Sequence, residues 1–416
     1  MKSLLINTFD SLGGASRATY RLLKGLQRAG VDSEMLVQVK NSDDASIIGP
    51  QSNISKFNGQ MRLILNSKPV RLLYPNNNGL YFSPALLPDR LTRMVTEINP
   101  DIIHLHWVGG GFFHIDSLRK FTKPVIWTLH DSWAFTGGCH IPLQCTRYEN
   151  SCGMCPALGS HNEHDLSSFV LKRKLRSWKN VGLTIVTPST WLKQCVQASA
   201  LFRNVRVEVI PNGLDLQVYK PLSKTVARQI LTLPQGKKII LFGAIKSTSD
   251  KNKGLHFLEK AIYLMKERLK RDSVEIIIFG SSAPKRSPDF GFNTRYMGYL
   301  HDDISLAVLY AAADVMIVPS MQESFGQTAS ESLACGTPVV AFNTSGLKDI
   351  VDHRINGYLC EPFDVNDLLN GILWILEDNQ RIDTMSRHAR EKVEKLYGLE
   401  VVTNQYIQLY SEMIAH

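Results

Sequence analysis

The 416-residue sequence has no apolar run approaching the roughly 18 residues of a membrane-spanning helix, no internal repeat of solenoid length and no low-complexity tract. A transmembrane bundle, a repeat array and a long disordered protein are thereby excluded. The first ten residues, MKSLLINTFD, hold one lysine and an apolar stretch too short for the core of a secretion signal, so they are expected to form the first β-strand of a cytoplasmic protein. Cysteine is sparse and odd in number, seven in all, which argues against a disulfide framework. The GxGxxG fingerprint is missing, which counts against a nicotinamide or flavin dehydrogenase. Zinc-finger spacing and interleaved aromatic and basic recognition motifs are also missing, so no nucleic-acid partner is expected.

What is present is ordinary globular material in generous length. Hydrophobic residues make up 44% and charged residues 20%, enough apolar side chain for two cores. Short β-branched runs alternate with helical stretches, the pattern of parallel sheets crossed by helices. One series of strands is expected at 3–7, 33–38, 102–106, 124–129, 183–187 and 205–210, and a second at 238–243, 274–279, 314–318 and 338–342. Pro211, Asn212 and Gly213 form a turn cluster between the two series. The expectation is an α/β protein with one doubly wound domain over residues 1–212 and another over 213–398. The last helix, near 399–416, carries Val402, Tyr406, Leu409 and Tyr410 on one apolar face that must dock somewhere.

The net charge of +9 points to an anionic partner, and it is unevenly shared. Residues 1–212 hold 24 Lys and Arg against 14 Asp and Glu; residues 213–416 hold 23 against 24. In the first half, Lys172, Arg173, Lys174, Arg176 and Lys179 cluster beside Leu175 and Trp178. Arg62, Lys68, Arg71, Arg90 and Arg93 are interleaved with Leu63, Ile64, Leu72 and Tyr81. Such stretches suit a peripheral face for anionic lipid, but the pattern favours a solvated helix with its apolar side packed inward.

Three places hold chemistry-bearing residues. Gly13 and Gly14 close the turn after the first strand and open a helix, where backbone N–H groups approach a phosphate or sugar oxygen. In the second half, Glu323 lies on the loop after a strand, and Glu331, eight residues on, lies about one and a half turns inside the next helix. The start of that helix, at Gly326, Gln327 and Thr328, would present free N–H groups and a favourable dipole to a diphosphate. Third, Cys139, Cys145, Cys152 and Cys155 crowd into 17 residues with spacing C-x5-C-x6-C-x2-C. Structural zinc, reduced thiols packed in a loop, and disulfides or redox chemistry all remain open for them.

The run ESFGQTASESLACGTPVVAFNTSG resembles the E-x7-E region of retaining glycosyltransferases of family 4, which have the GT-B fold. HLHW at 104–107, TLHD at 128–131, TPSTWL at 187–192, IPNGLD at 210–215 and KG at 253–254 extend the resemblance over essentially the whole chain. The segment GGCHIPLQCTRYENSCGMCPAL is similar to a subgroup that includes colanic-acid-type polysaccharide enzymes. The resemblance implies two Rossmann-like domains facing a central cleft, the first on the acceptor side, the second binding the donor, with the final helix crossing back to the first. It implies transfer of a hexosyl group from a UDP- or GDP-sugar to a glycan or lipid-linked acceptor with retention, in polysaccharide or glycoconjugate synthesis, at the inner membrane face.

Residue by residue, the resemblance gives Glu331 the ribose hydroxyls, Glu323 the transferred sugar, Lys253 the departing diphosphate, His130 a place near donor sugar and acceptor, and Gly14 the glycine turn. Lys246 stands in for the basic partner that the family usually has a few residues before the lysine. Fixed cations and N–H donors behind the phosphates meet the charge that builds on the leaving group, so no catalytic cofactor is required. The rival readings are a GT-B nucleotide-sugar isomerase or epimerase and a catalytically silent GT-B binding subunit.

Overall fold

The computed structural model describes residues 1–415 except 76, 78, 80 and 285–289. Seven strands, β1 (Lys2–Phe9), β2 (Asp32–Val39), β3 (Ile47–Ile48), β4 (Ile102–Leu105), β5 (Val125–Thr128), β6 (Leu183–Thr187) and β7 (Arg206–Val209), form one sheet in the order β3-β2-β1-β4-β5-β6-β7. Six more, β8 (Lys238–Gly243), β9 (Val274–Phe279), β10 (Asn293–Tyr296), β11 (Val315–Val318), β12 (Val339–Phe342) and β13 (Gly357–Cys360), form a second in the order β10-β9-β8-β11-β12-β13. Every pairing in both sheets is parallel. The chain divides into two units, residues 1–211 with 402–416, and residues 212–401.

Helices cover both faces of each sheet, which is why the strands read as nearly unbroken apolar runs instead of alternating ones. Side chains still alternate between two cores. Leu4 and Ile6 enter one core of the first unit and Leu5 the other; Ile239 and Leu241 enter one core of the second, Ile240 and Phe242 the other. In each sheet the strand order reverses once, between β1 and β4 and between β8 and β11. Loops leaving those neighbours part in opposite directions and open a crevice at the carboxyl ends of the strands.

The final helix, Leu399–Ala415, belongs to the first unit from Val402 onward. Its apolar face packs Val402, Tyr406, Leu409 and Tyr410 against Leu5, Leu22 and Leu26. Two phenols add direction to that packing. Tyr410 Oη meets His104 Nδ1 at 2.5 Å, and Tyr406 Oη meets Thr128 Oγ1 at 2.9 Å. The helix therefore supports β4 and β5 just behind their functional ends.

The basic stretches of the first unit are partly internal. Lys174 is fully buried, donates to the carbonyls of Trp133 and Thr136, and lies 3.8 Å from the Trp133 ring centroid. Arg173 pairs with Asp116, and Arg62 donates to the carbonyls of Gly111 and Pro88. These cations hold loops in place. Helix 53–73, by contrast, keeps Lys56, Lys68 and Arg71 exposed.

Removing the Tyr410 hydroxyl leaves a buried imidazole nitrogen unpaired, so Tyr410→Phe should cost about 1–3 kcal/mol of stability. The measurement is a lowered urea midpoint with an unchanged denaturant slope.

Candidate active site

In the second unit, the switch point between β8 and β11 brings together two loops about seventy residues apart. Lys253 Nζ and Glu323 Oε1 form an ion pair of 2.7 Å, each side chain about one-fifth exposed. Burial alone would push the ammonium down, yet the Glu323 carboxylate outweighs it and holds Lys253 above its ordinary value. The pair is fixed by a neighbour. Asn252 donates its amide to Gln322 O at 2.8 Å, accepts from Gln322 N at 3.1 Å, and its carbonyl accepts from Met321 N. Ser345 Oγ accepts from Glu323 N at 2.9 Å, and Glu323 O accepts from Gly346 N.

Gly254 is required by this closeness. Its φ is +75°, and a Cβ there would lie 1.9 Å from Pro319 O. The Lys-Gly dipeptide thus combines a cation with the only residue that lets its loop lie against the end of β11.

The helix Gln327–Ala334 follows directly, with Gly326 at its N-cap at φ +108°. Gln327 and Thr328 occupy its first turn, and Gln327 Nε2 is enclosed without a partner among the described residues. A donor left unpaired at a helix N-terminus is chemically suited to an anionic oxygen. Glu331, buried one turn further on, accepts a hydrogen bond from Tyr310 Oη at 3.0 Å. Burial and the adjacent carboxylate hold the Tyr310 phenol far above its ordinary value, so it stays a donor. Lys246 lies exposed on the loop after β8, with φ +59°.

In the first unit, the corresponding edge carries histidines. His106 Nδ1 and His130 Nε2 are 3.0 Å apart, with rings stacked at 5.3 Å; His104 lies 4.0 Å behind His106 and contacts Thr128 Oγ1 at 2.7 Å. Burial pushes His130 down to about 4, and holds His104 and His106 well below their ordinary values. These rings are neutral near pH 7. Gly13 and Gly14 open the helix Gly14–Arg28 at the end of β1, with Gly13 at φ +92°. Asp131, beside His130, accepts from Trp107 Nε1 at 2.6 Å, His140 Nδ1 at 2.6 Å and Trp133 N at 2.8 Å. Burial would raise its pKa, but His140 and these donors hold it below the usual carboxylate range.

Family models match nearly the full length of the chain. Residues 12–218 match "Glycosyltransferase Family 4" and residues 223–392 match "Glycosyl transferases group 1". D-inositol 3-phosphate glycosyltransferase of Mycolicibacterium smegmatis is 32% identical over 387 residues, 88% of this chain and 79% of that protein. The chain is a family 4 glycosyltransferase of the GT-B fold. Sucrose-phosphate synthase from Thermosynechococcus elongatus has a TM-score of 0.73 at 22% identity, covering 100% of this chain and 99% of that one. Anabaena HepE, solved with UDP-glucose, has a TM-score of 0.64 at 18% identity, covering 99% and 100%.

In the cysteine segment of this glycosyltransferase the four thiols lie within electrostatic reach of one another, Cys155, Cys152 and Cys145 each helping to raise Cys139. Among the described residues no three His, Cys, Asp or Glu side chains stand together as metal ligands, and all seven cysteines are free. Cys139 and Cys155 pack with Val70, Phe82, Ala157 and Leu158 as small apolar residues. Burial raises the thiols, Cys152 to about 12.

Asn252, Tyr310 and Ser345 were not singled out by sequence reasoning, and His140 stood out only as the neighbour of Cys139. Asn252 had a weak signal, its place in the polar turn Asp250–Gly254. Tyr310 had none, because an inward phenol on an apolar helix looks like any core aromatic.

The histidine row has a consequence for the glycosyltransferase's pH dependence. The unfolded chain takes up protons from about pH 6.5, while folded His130 refuses one until about pH 4, so stability is full above 6.5 and lost on acidification toward 4. The melting temperature should fall across that window, and less steeply in His130→Asn.

Proposed function

We propose that this glycosyltransferase moves a hexosyl group from a UDP- or GDP-sugar to a glycan or lipid-linked acceptor with retention of anomeric configuration. The observation that carries the reading is the enclosed Lys253–Glu323 pair on the loop leading into a helix N-terminus with an unpaired donor at Gln327. A diphosphate competes with Glu323 for Lys253, frees the carboxylate for the sugar, and takes the Gln327 amide and the first-turn N–H groups. That the HepE structure holds UDP-glucose supports a nucleotide-sugar donor.

The bond from the anomeric carbon to the diphosphate oxygen breaks, and a bond to the acceptor oxygen forms on the same face. The acceptor's proton passes to the departing phosphate oxygen. Lys253 and the helix N-terminus stabilise charge on the leaving group, and Lys246 supplies a second phosphate contact. Glu323 stabilises the cationic anomeric carbon. Glu331, oriented by Tyr310, accepts from the ribose hydroxyls. Neutral His130 contributes a polar contact or relays a proton without adding a competing cation, and Gly14 opens the turn that faces the diphosphate or acceptor.

The test is a panel of UDP- and GDP-sugars, with thermal shift for binding and NMR for the product anomer. Lys253→Ala should lower turnover on the order of 100-fold, and Glu331→Ala should weaken nucleotide binding roughly tenfold or more. An inverted product, or nucleotide binding untouched by Glu331→Ala, overturns the reading.

No helix among the described residues is long and apolar enough to cross a membrane. We further propose peripheral contact with anionic lipid through helix 53–73. Ile54, Phe57 and Leu72 are 76%, 63% and 78% exposed there, beside exposed Lys56, Lys68 and Arg71. Sedimentation with phosphatidylglycerol vesicles should show binding that Ile54→Asp with Phe57→Asp abolishes and that neutral phosphatidylcholine does not support. Equal sedimentation of variant and wild type would remove this part of the proposal.

A further inference from the structure

The crevice at the switch point of the first sheet is walled by aromatic rings that take no part in the donor chemistry. Phe9 ends β1, Trp107 follows β4, and Tyr81 comes from the segment before β4 in sequence. Their rings form a ladder. Phe9 and Trp107 centroids are 6.0 Å apart with planes 21° from parallel, and Trp107 and Tyr81 are 6.0 Å apart with planes 27° from parallel. Tyr81 is 51% exposed, and among the described residues none of the three rings packs into an apolar core cluster. Core aromatics in this unit are buried: Phe113, Trp127, Trp133 and Trp178 meet one another edge to face or tilted, and Trp178 stacks on Phe202.

The ladder is held from behind by polar contacts. Trp107 Nε1 is fixed by Asp131 Oδ2 at 2.6 Å and its backbone N–H by Asn7 Oδ1 at 2.9 Å. Asp131 is in turn held by His140 Nδ1 at 2.6 Å, and His140 Nε2 reaches Ser83 Oγ at 2.9 Å. The same segment anchors Tyr81: His140 N donates to Tyr81 O, Ser83 N donates to Gly138 O, and the Tyr81 ring tilts against His140 at 4.5 Å. Gly138 has φ +126°, and a Cβ there would lie 2.5 Å from the Phe82 ring, so this pairing depends on glycine. A cavity of about 10 Å³, room for one water, lies beside Trp107 and is lined by His106, His130, Asp131 and His140 together with apolar Val108, Trp127, Leu129 and Trp133; His106 Nε2 is buried and unpartnered.

Fixed, nearly parallel aromatic faces beside imidazoles and a carboxylate, at the carboxyl edge of a parallel sheet, suit a ligand with a flat face of C–H bonds and a rim of hydroxyls. The electron-rich ring face attracts the polarised C–H bonds, and the imidazoles accept from or donate to the rim. We propose that this ladder binds a six-membered polyhydroxylated ring of the acceptor, a pyranose or a cyclitol, and that His140 is a positioning residue that aims Trp107 through Asp131. This rests on the glycosyltransferase reading above, and it gives the cysteine-bearing segment a role that needs no metal: it scaffolds the acceptor platform.

The test is saturation-transfer NMR of the full-length chain with methyl β-D-galactopyranoside, myo-inositol and D-glucitol, alongside UDP and GDP binding by thermal shift. One or both cyclic compounds should receive saturation on their ring C–H protons, and flexible glucitol should not. Saturation of the galactoside alone assigns a sugar ring, and of inositol alone a cyclitol. Tyr81→Ala should reduce the signal at least fivefold and Tyr81→Phe should keep it; His140→Ala should reduce it and His140→Gln, which still donates to Asp131, should restore most of it. Equal saturation of glucitol, or a signal unchanged in Tyr81→Ala, overturns the platform even if nucleotides bind. Ring-specific saturation lost in Tyr81→Ala, with no nucleotide binding by the wild type, would instead sink the donor reading and leave the platform standing.

Discussion

A parallel sheet covered on both faces by helices buries its whole surface, so polar side chains with work to do are confined to the carboxyl ends of the strands. Both sheets obey this constraint, and each opens where its strand order reverses. At β8 and β11 the consequence is the Lys253–Glu323 pair; at β1 and β4 it is the juxtaposition of Phe9 with Trp107. Neither contact arises from local sequence. Each is created because two loops distant in sequence leave adjacent strands.

Behind both edges lies a layer of hydrogen bonds that decides how the working groups stand. Asn252 clips the Lys253 loop to the Glu323 loop, Tyr310 orients Glu331, and Tyr410 and Thr128 hold the histidine row. These supporting groups are buried, where an unpaired polar atom is costly, so they transmit position with little play. The returning C-terminal helix joins that layer in the first unit, which explains why its docking face carries two tyrosines among aliphatic side chains.

Most of the fold was legible. The β-branched runs that became β1, β2, β4 to β9, β11 and β12 mark themselves because burial on both faces demands continuous apolar sequence. Three strands were missed, and each is an edge strand with little signal of its own: β3 is only two residues long, β10 is the polar Asn-Thr-Arg-Tyr, and β13 is four residues starting with glycine. Edge strands borrow their conformation from a neighbour's ladder instead of from their own propensity. The basic clusters were legible as charge but not as placement, since Lys174 and Arg62 end on carbonyls that no sequence pattern points to.

The amino-acid sequence by itself determined two α/β domains through local periodicity, while the Lys-Gly turn, the E-x7-E pair and His130 were marked out by the resemblance of their motifs to family 4 glycosyltransferases. Only the tertiary structure decided that Lys253 meets Glu323, that Tyr310 meets Glu331, and that the cysteine segment brings His140 to Asp131. The physical reason is that those contacts depend on which strands are neighbours and on how far a buried side chain reaches. Spacing along the chain carries neither quantity.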